Sequence, residues 1–217
     1  MDIEALLLSL KLAIWTLVII LPFGVWVAHS LQNMGKCRSW IEAALALPLV
    51  LPPTVLGYYL LVGFGGKSFL GIPLVFSFAG ILIASLIVNL PFAIQPIQRA
   101  FESINPEIRE AAQVSGLSNW QIFRLIELPL AWRGITSAAV LTFAHTLGEF
   151  GVILMVGGAI PGETKTVSIA IYDKVQSFDT SGAGALSLLL LAISLVAIAL
   201  SYGIFGRQPS RQKRWDS

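Results

Sequence analysis

Apolar residues gather into five long runs, at about 5–28, 43–64, 74–94, 131–156 and 183–205, and polar and charged residues collect in the connections. A helix that crosses the roughly 30 Å hydrocarbon core of a bilayer needs about 20 mainly apolar residues, so each run is long enough to cross once. Lipid offers backbone N–H and C=O groups no partner, and the pattern therefore predicts five helices. Pro48, Pro52 and Pro53 interrupt the second run, and each removes a helical hydrogen bond. Such a break is either a packing kink or the mark of a helix that lines a solute route, with Pro52, Pro53 and Thr54 as candidates for the lining. The connection 157–182 is semi-apolar, and within it 166–172 is expected to form a helix or strand too short to cross.

Composition strengthens this picture. Of 217 residues, 56% are hydrophobic and 12% charged, against about 25% charged in soluble domains. The chain has room for one membrane domain, 1–217, and no separate soluble one. Its basic residues alternate between connections. Lys36 and Arg38 lie in the first, Arg99, Arg109, Arg124 and Arg133 in or beside the third, and Arg207, Arg211, Lys213 and Arg214 in the tail. The remaining connections hold Lys67, Lys165 and Lys174. The positive-inside rule then sets the N-terminus outside and the C-terminus in the cytoplasm, which requires an odd number of spans. Lys11 falls within the first run, where its long stem lets the ammonium snorkel to the interface. The single cysteine, Cys37, has no internal disulfide partner. The N-terminus opens Met-Asp-Ile-Glu with neither basic residues nor a small-residue cleavage site, so it reads as a first span rather than a signal peptide.

The connection 95–130 is too ordered in pattern to be a linker. Asn105 can cap a helix whose first turn holds Pro106 and Glu107, which runs through Glu110-Ala111-Ala112 and ends at Gly116. Ser118-Asn119-Trp120-Gln121 has the form of a capping box, opening a second short helix expected to stop near Pro129. Arg99, Arg109, Arg124 and Arg133 balance Glu102, Glu107, Glu110 and Glu127, which argues against a DNA-binding helix-turn-helix or any nucleic-acid partner. Ala111, Ala112 and Gly116 let a partner approach the backbone, and Ile108, Leu117, Ile122, Phe123 and Ile126 offer apolar anchors for docking in a groove.

Glu110-Ala111-Ala112, Gly116 and the stretch Phe123-Arg124-Leu125-Ile126-Glu127-Leu128-Pro129 resemble, at matching spacing, the EAA loop of binding-protein-dependent ABC importer permeases. In that family the loop supplies the coupling helices that fit clefts of the ATPase subunits. Two further stretches resemble the molybdate permease branch: 48–58, reading Pro-Leu-Val-Leu-Pro-Pro-Thr-Val-Leu-Gly-Tyr, and Leu-Gly-Glu-Phe-Gly at 147–151 followed by Ile-Pro-Gly-Glu-Thr-Lys-Thr at 160–166. With Leu-Leu-Ser-Leu-Lys at 7–11, the similarity covers nearly the whole chain. The resemblance implies an all-α, polytopic bundle of the type I importer fold, with about five spans and cytoplasmic coupling helices at about 99–130, in a bacterial inner (plasma) membrane. It also implies a homodimer served by two cytoplasmic ABC ATPases and an extracytoplasmic molybdate-binding protein. No cofactor is expected in this chain, ATP and Mg being held by the ATPase, and Glu110, Ala111, Ala112 and Gly116 would couple to that partner. Leu-Gly-Glu-Phe-Gly is shared with sulfate permeases, which keeps sulfate, thiosulfate and tungstate open as cargoes of the same architecture.

His145 and Glu149 stand four apart and share one helix face. An ionisable group at the bilayer centre costs roughly 2.5–3.5 kcal/mol on insertion scales and is a functional candidate by default. For Glu149, an ion pair or helix cap stands beside a pathway role; for His145, ordinary hydrogen bonding is the expectation, and Asn89 reads as interhelical glue. No span carries a cluster of cations that would hold an oxyanion tightly, which suits a path that passes its cargo on. The stretch 63–68 resembles a P-loop, but Leu61 stands where the first motif glycine belongs. No catalytic set of nucleophile, base and orienting group, and no metal-ligand cluster, is spaced along the helices, which argues against an enzyme. An ATPase-independent secondary transporter is the remaining alternative.

Overall fold

A computed structural model describes residues 2–32, 34–66, 68–69 and 72–205, so Lys67 and the tail cations Arg207, Arg211, Lys213 and Arg214 lie outside the described residues. The first and third apolar runs form single helices longer than the runs themselves, α1 (Ile3–Gln32) and α4 (Phe78–Glu102). Ser77 starts α4 by accepting from the Gly80 N–H at 3.2 Å. The last run forms α11 (Thr180–Phe205). Asp179 accepts from the Gly182 N–H at 2.9 Å at its start, and Lys174 beside it holds the Asp179 carboxyl down at about 2.

The second and fourth runs are not straight spans. The second divides into α2 (Arg38–Val50) and α3 (Pro53–Phe64), bent by 107°. Two consecutive prolines explain the corner. Leu51 and Pro52 are both forced into extended backbone, with ψ of 138° and 136°, and Pro53 then opens α3 where its missing N–H is no loss. The fourth run divides into α8 (Trp132–Gly148) and α9 (Gly151–Gly157), bent by 59° at Glu149 and Phe150. Among the described residues, α1, α4 and α11 are each long and apolar enough to cross a membrane, and the number reaches five when each bent pair counts as one.

Between α4 and α8 the chain forms α5 (Pro106–Val114) and α6 (Asn119–Ile122), a π-helical turn at Phe123–Glu127, and α7 (Leu128–Leu130). The helical path does not stop near Pro129 as expected. The π turn carries the Leu128 N–H to Phe123 O, and Pro129 enters in the first turn of α7, where a missing N–H does no harm. Of the segment 166–172, residues 167–172 are helical, within α10 (Val167–Gln176), with Thr166 at the N-cap, and the Val167 N–H donates to the Ser9 hydroxyl of α1 at 2.8 Å. A hairpin of β1 (Ser68–Phe69) and β2 (Ile72–Pro73), antiparallel with Phe69 opposite Ile72, holds the only strands among the described residues.

Helices α1, α4 and α8 form the centre. At the end that carries α5, Ala28, Leu31, Ile94, Ile97, Phe101, Ala131 and Ala138 pack together. At the other, Leu12, Ile81, Ile153 and Ile169 join α1 and α4 to α9 and α10. Small residues set the spacing. A Cβ on Gly134 would lie 2.7 Å from Pro96 O and collide with Ala100. Gly134→Val should therefore force α8 off α4, at a cost of about 1–3 kcal/mol for overpacking, seen as a lower midpoint in thermal unfolding of the detergent-solubilised chain.

Candidate functional site

The two helix breaks face each other. A Cβ on Gly151, at the start of α9, would lie 2.8 Å from Pro53 Cβ, and one on Gly57 of α3 would lie 2.8 Å from Met155 Cβ. Only glycine lets α3 and α9 approach this closely. A cavity of 130 Å³ opens beside the junction, its wall including Pro48, Pro53, Phe92, His145 and Glu149. Pro52 forms the corner itself, and Thr54 is exposed on the first turn of α3.

Glu149 is 7% exposed. One carboxylate oxygen accepts from the Val152 N–H at 3.0 Å, satisfying a first-turn donor of α9, and the other stands 3.7 Å from His145 Nε2. Of the roles left open for Glu149, the helix-cap contact is thus present. The other imidazole nitrogen, Nδ1, lies 3.1 Å from Asn89 Oδ1, and the ring stacks on Phe92 at 4.1 Å between centroids. Asn89 donates to Ser85 O at 2.8 Å, which leaves its carbonyl oxygen to accept from His145 Nδ1–H. Ser85 reaches Thr16 of α1 at 3.0 Å. A polar seam therefore runs from α1 through α4 and α8 to the cavity wall, so that these buried polar groups meet each other rather than hydrocarbon. Lys11 of α1 lies over the Phe78 ring, 4.4 Å from its centroid.

The second region is the arm formed by α5 and α6. Asn105 caps α5 by accepting from the Glu107 N–H at 3.0 Å. Its far end is a Schellman motif: Gly116 has φ +83°, its N–H donates to Gln113 O, and the Leu117 N–H donates to Ala112 O. Ser118 and Gln121 complete the capping box that opens α6. Glu110, Ala111 and Gly116 are exposed, whereas Ala112 packs inward. Of the expected apolar anchors, only Ile108 stands on the surface. Ile122 is buried, and Leu117, Phe123 and Ile126 are half-buried, Phe123 against the core of the bundle. The exposed apolar groups are instead Val114 (90%), Trp120 (66%) and Leu125 (61%).

Glu127, which the sequence offered as a balancing charge and as part of the EAA-loop stretch but not as a buried group, is 2% exposed. Arg109 Nε donates to one of its oxygens at 2.6 Å, His29 Nε2 lies 3.0 Å from the other, and Arg109 Nη2 donates to Gln32 Oε1 at 2.6 Å. A lone acid in the apolar stretch 122–130 was the single signal available. Nearby, Gln98 Nε2 bridges Glu42 at 2.6 Å and Glu102 at 2.9 Å, with Arg38 paired to both carboxylates beside a 340 Å³ cavity between α2 and α4.

Residues 20–213 match the protein family described as binding-protein-dependent transport system inner membrane component. The chain is 44% identical over 187 residues to the molybdenum transport system permease protein ModB of Azotobacter vinelandii, covering 82% of this chain and 83% of that one. It is 35% identical over 208 residues to ModB of Escherichia coli, covering 91% of each. Among solved structures, the fold is shared with a bacterial ABC transporter involved in import of the acidic polysaccharide alginate, at a TM-score of 0.74 and 20% identity, over 93% of this chain and 79% of that one.

Proposed function

The chain belongs to the family of binding-protein-dependent transport system inner membrane components, and from that premise we propose that it is half of a homodimeric permease that moves molybdate across the membrane by alternating access. It is the membrane permease component of an ABC importer, an inner-membrane protein built on several apolar helices, and the ATPase is a separate subunit. The cargo rests on the two molybdenum permeases at 44% and 35% identity. Each bent pair makes one crossing, giving five in all, with the N-terminus outside and the arm in the cytoplasm beside Lys36, Arg38, Arg99 and Arg124.

The observation that carries the mechanism is the arm itself. Two capped helices hinge at Gly116 and present Glu110, Ala111, Val114 and Trp120 outward, a surface suited to a cleft in an ATPase that holds ATP and Mg. The facing breaks at Pro52 and Glu149 put non-helical backbone beside a cavity, as helices that line a solute path do. Two copies would complete a path that one set of helices does not enclose, and an extracytoplasmic molybdate-binding protein would deliver the cargo. Reconstitution of the chain with its ATPase and binding protein in liposomes should give molybdate uptake that requires ATP on the arm side. Uptake by the chain alone would mean a secondary transporter, and preferential uptake of sulfate, thiosulfate or tungstate would reassign the cargo.

A further inference from the structure

The three central helices have unequal links to the arm. The chain enters α5 directly from α4 through Ser103, Ile104 and Asn105, and it leaves through the π turn and α7 into α8. Helix α1 has no short covalent link to the arm: it ends at Gln32, and the chain passes through α2, α3 and α4 before α5 begins at Pro106. Side chains make the polar link between them, and it centres on one buried carboxylate. Glu127 receives Arg109 of α5 on one oxygen and His29 of α1 on the other, and Arg109 continues to Gln32 in the last turn of α1. His29 is held in turn between Phe101 and Phe123, with ring centroids 5.8 and 4.6 Å away. The π turn that ends at Glu127 adds a residue to the helical turn, and such turns are frequent at functional sites. A buried ion pair is weak evidence for stability, because desolvation offsets most of its attraction, and what this one supplies is a defined geometry between Arg109, Glu127 and His29.

We propose that Glu127 is a positioning residue that ties the coupling arm to the end of α1, so that displacement of the arm by the ATPase passes to α1 through side chains. This rests on the docking role proposed above for α5 and α6. The test uses the assembled transporter in liposomes, carrying Glu127→Gln or Arg109→Met. Three quantities are read: ATPase binding, molybdate imported per ATP hydrolysed, and the distance between spin labels at Val114→Cys and Trp26→Cys in a Cys37→Ser background. The ATPase should still bind and hydrolyse ATP, import per ATP should fall about tenfold, and the label distances should broaden. A purely structural defect would lower hydrolysis and import in proportion and leave their ratio unchanged, which would overturn the inference. If Glu127→Gln does not assemble, Arg109→Met decides alone, since Arg109 is one-third exposed and its loss leaves the Glu127–His29 contact in place. Failure of the wild-type chain to bind an ATPase would instead overturn the docking role, and this inference with it.

Discussion

Gly116→Val is expected to cut ATP-driven import by about ten- to a hundredfold while the chain still inserts and folds. The reason is the sign of a dihedral angle rather than the size of a side chain. A Cβ at Gly116 would meet nothing within 4 Å, so volume is no obstacle. Its φ of +83°, however, is one that an L-residue adopts at a cost of roughly 1–2 kcal/mol, and a β-branched residue adopts least readily. The arm is exposed there, and the cheapest relief is to abandon the two Schellman hydrogen bonds to Gln113 and Ala112. That would swing α5 relative to α6 without disturbing the bundle. An arm that enters a partner's cleft tolerates no such swing, because a misplacement of about 1 Å can cost a hundredfold. Gly116→Asn separates the explanations, since asparagine accepts positive φ far better than valine at comparable volume. Uptake and ATP hydrolysis in liposomes should therefore be nearer wild type for asparagine than for valine. Equal activity of all three proteins would mean that the angle between α5 and α6 carries nothing.

Features encoded by neighbouring residues were legible in the sequence. The cap at Asn105, the capping box at Ser118 and the glycine stop at Gly116 all lie within a few residues of the groups they satisfy, and each forms as expected. The prolines announced a break in the second apolar run, but a sequence pattern carries no angle, and the 107° corner emerges from two successive extended residues. The break in the fourth run had no such herald. No proline lies there, and the turn is held by Glu149 reaching forward to the Val152 N–H. The anchors of the arm were misjudged because apolar periodicity cannot say which of two partners a face meets: Ile122 packs into its own bundle, and Val114 faces outward. The Glu127 cluster was beyond reach for a similar reason. His29 stands 98 positions from Glu127, a separation that no local pattern spans.

Glu149 yields the other large expected effect, and a pair of substitutions separates its two possible contributions. Glu149→Ala removes the acceptor of the Val152 N–H, and an orphaned donor facing hydrocarbon costs several kcal/mol. The adjoining 130 Å³ cavity has room for water, which brings the expected loss to about 1–3 kcal/mol. That loss should appear as a lower thermal midpoint in detergent and a matching fall in reconstituted import. Glu149→Gln retains an oxygen for Val152 and removes only the charge. Since one carboxylate oxygen is engaged by Val152 and the other faces His145, the glutamine variant should keep both its midpoint and its import close to wild type. If it instead keeps its midpoint but loses import, the carboxylate charge acts on the passing anion, and Glu149 belongs to the solute path as well as to the scaffold.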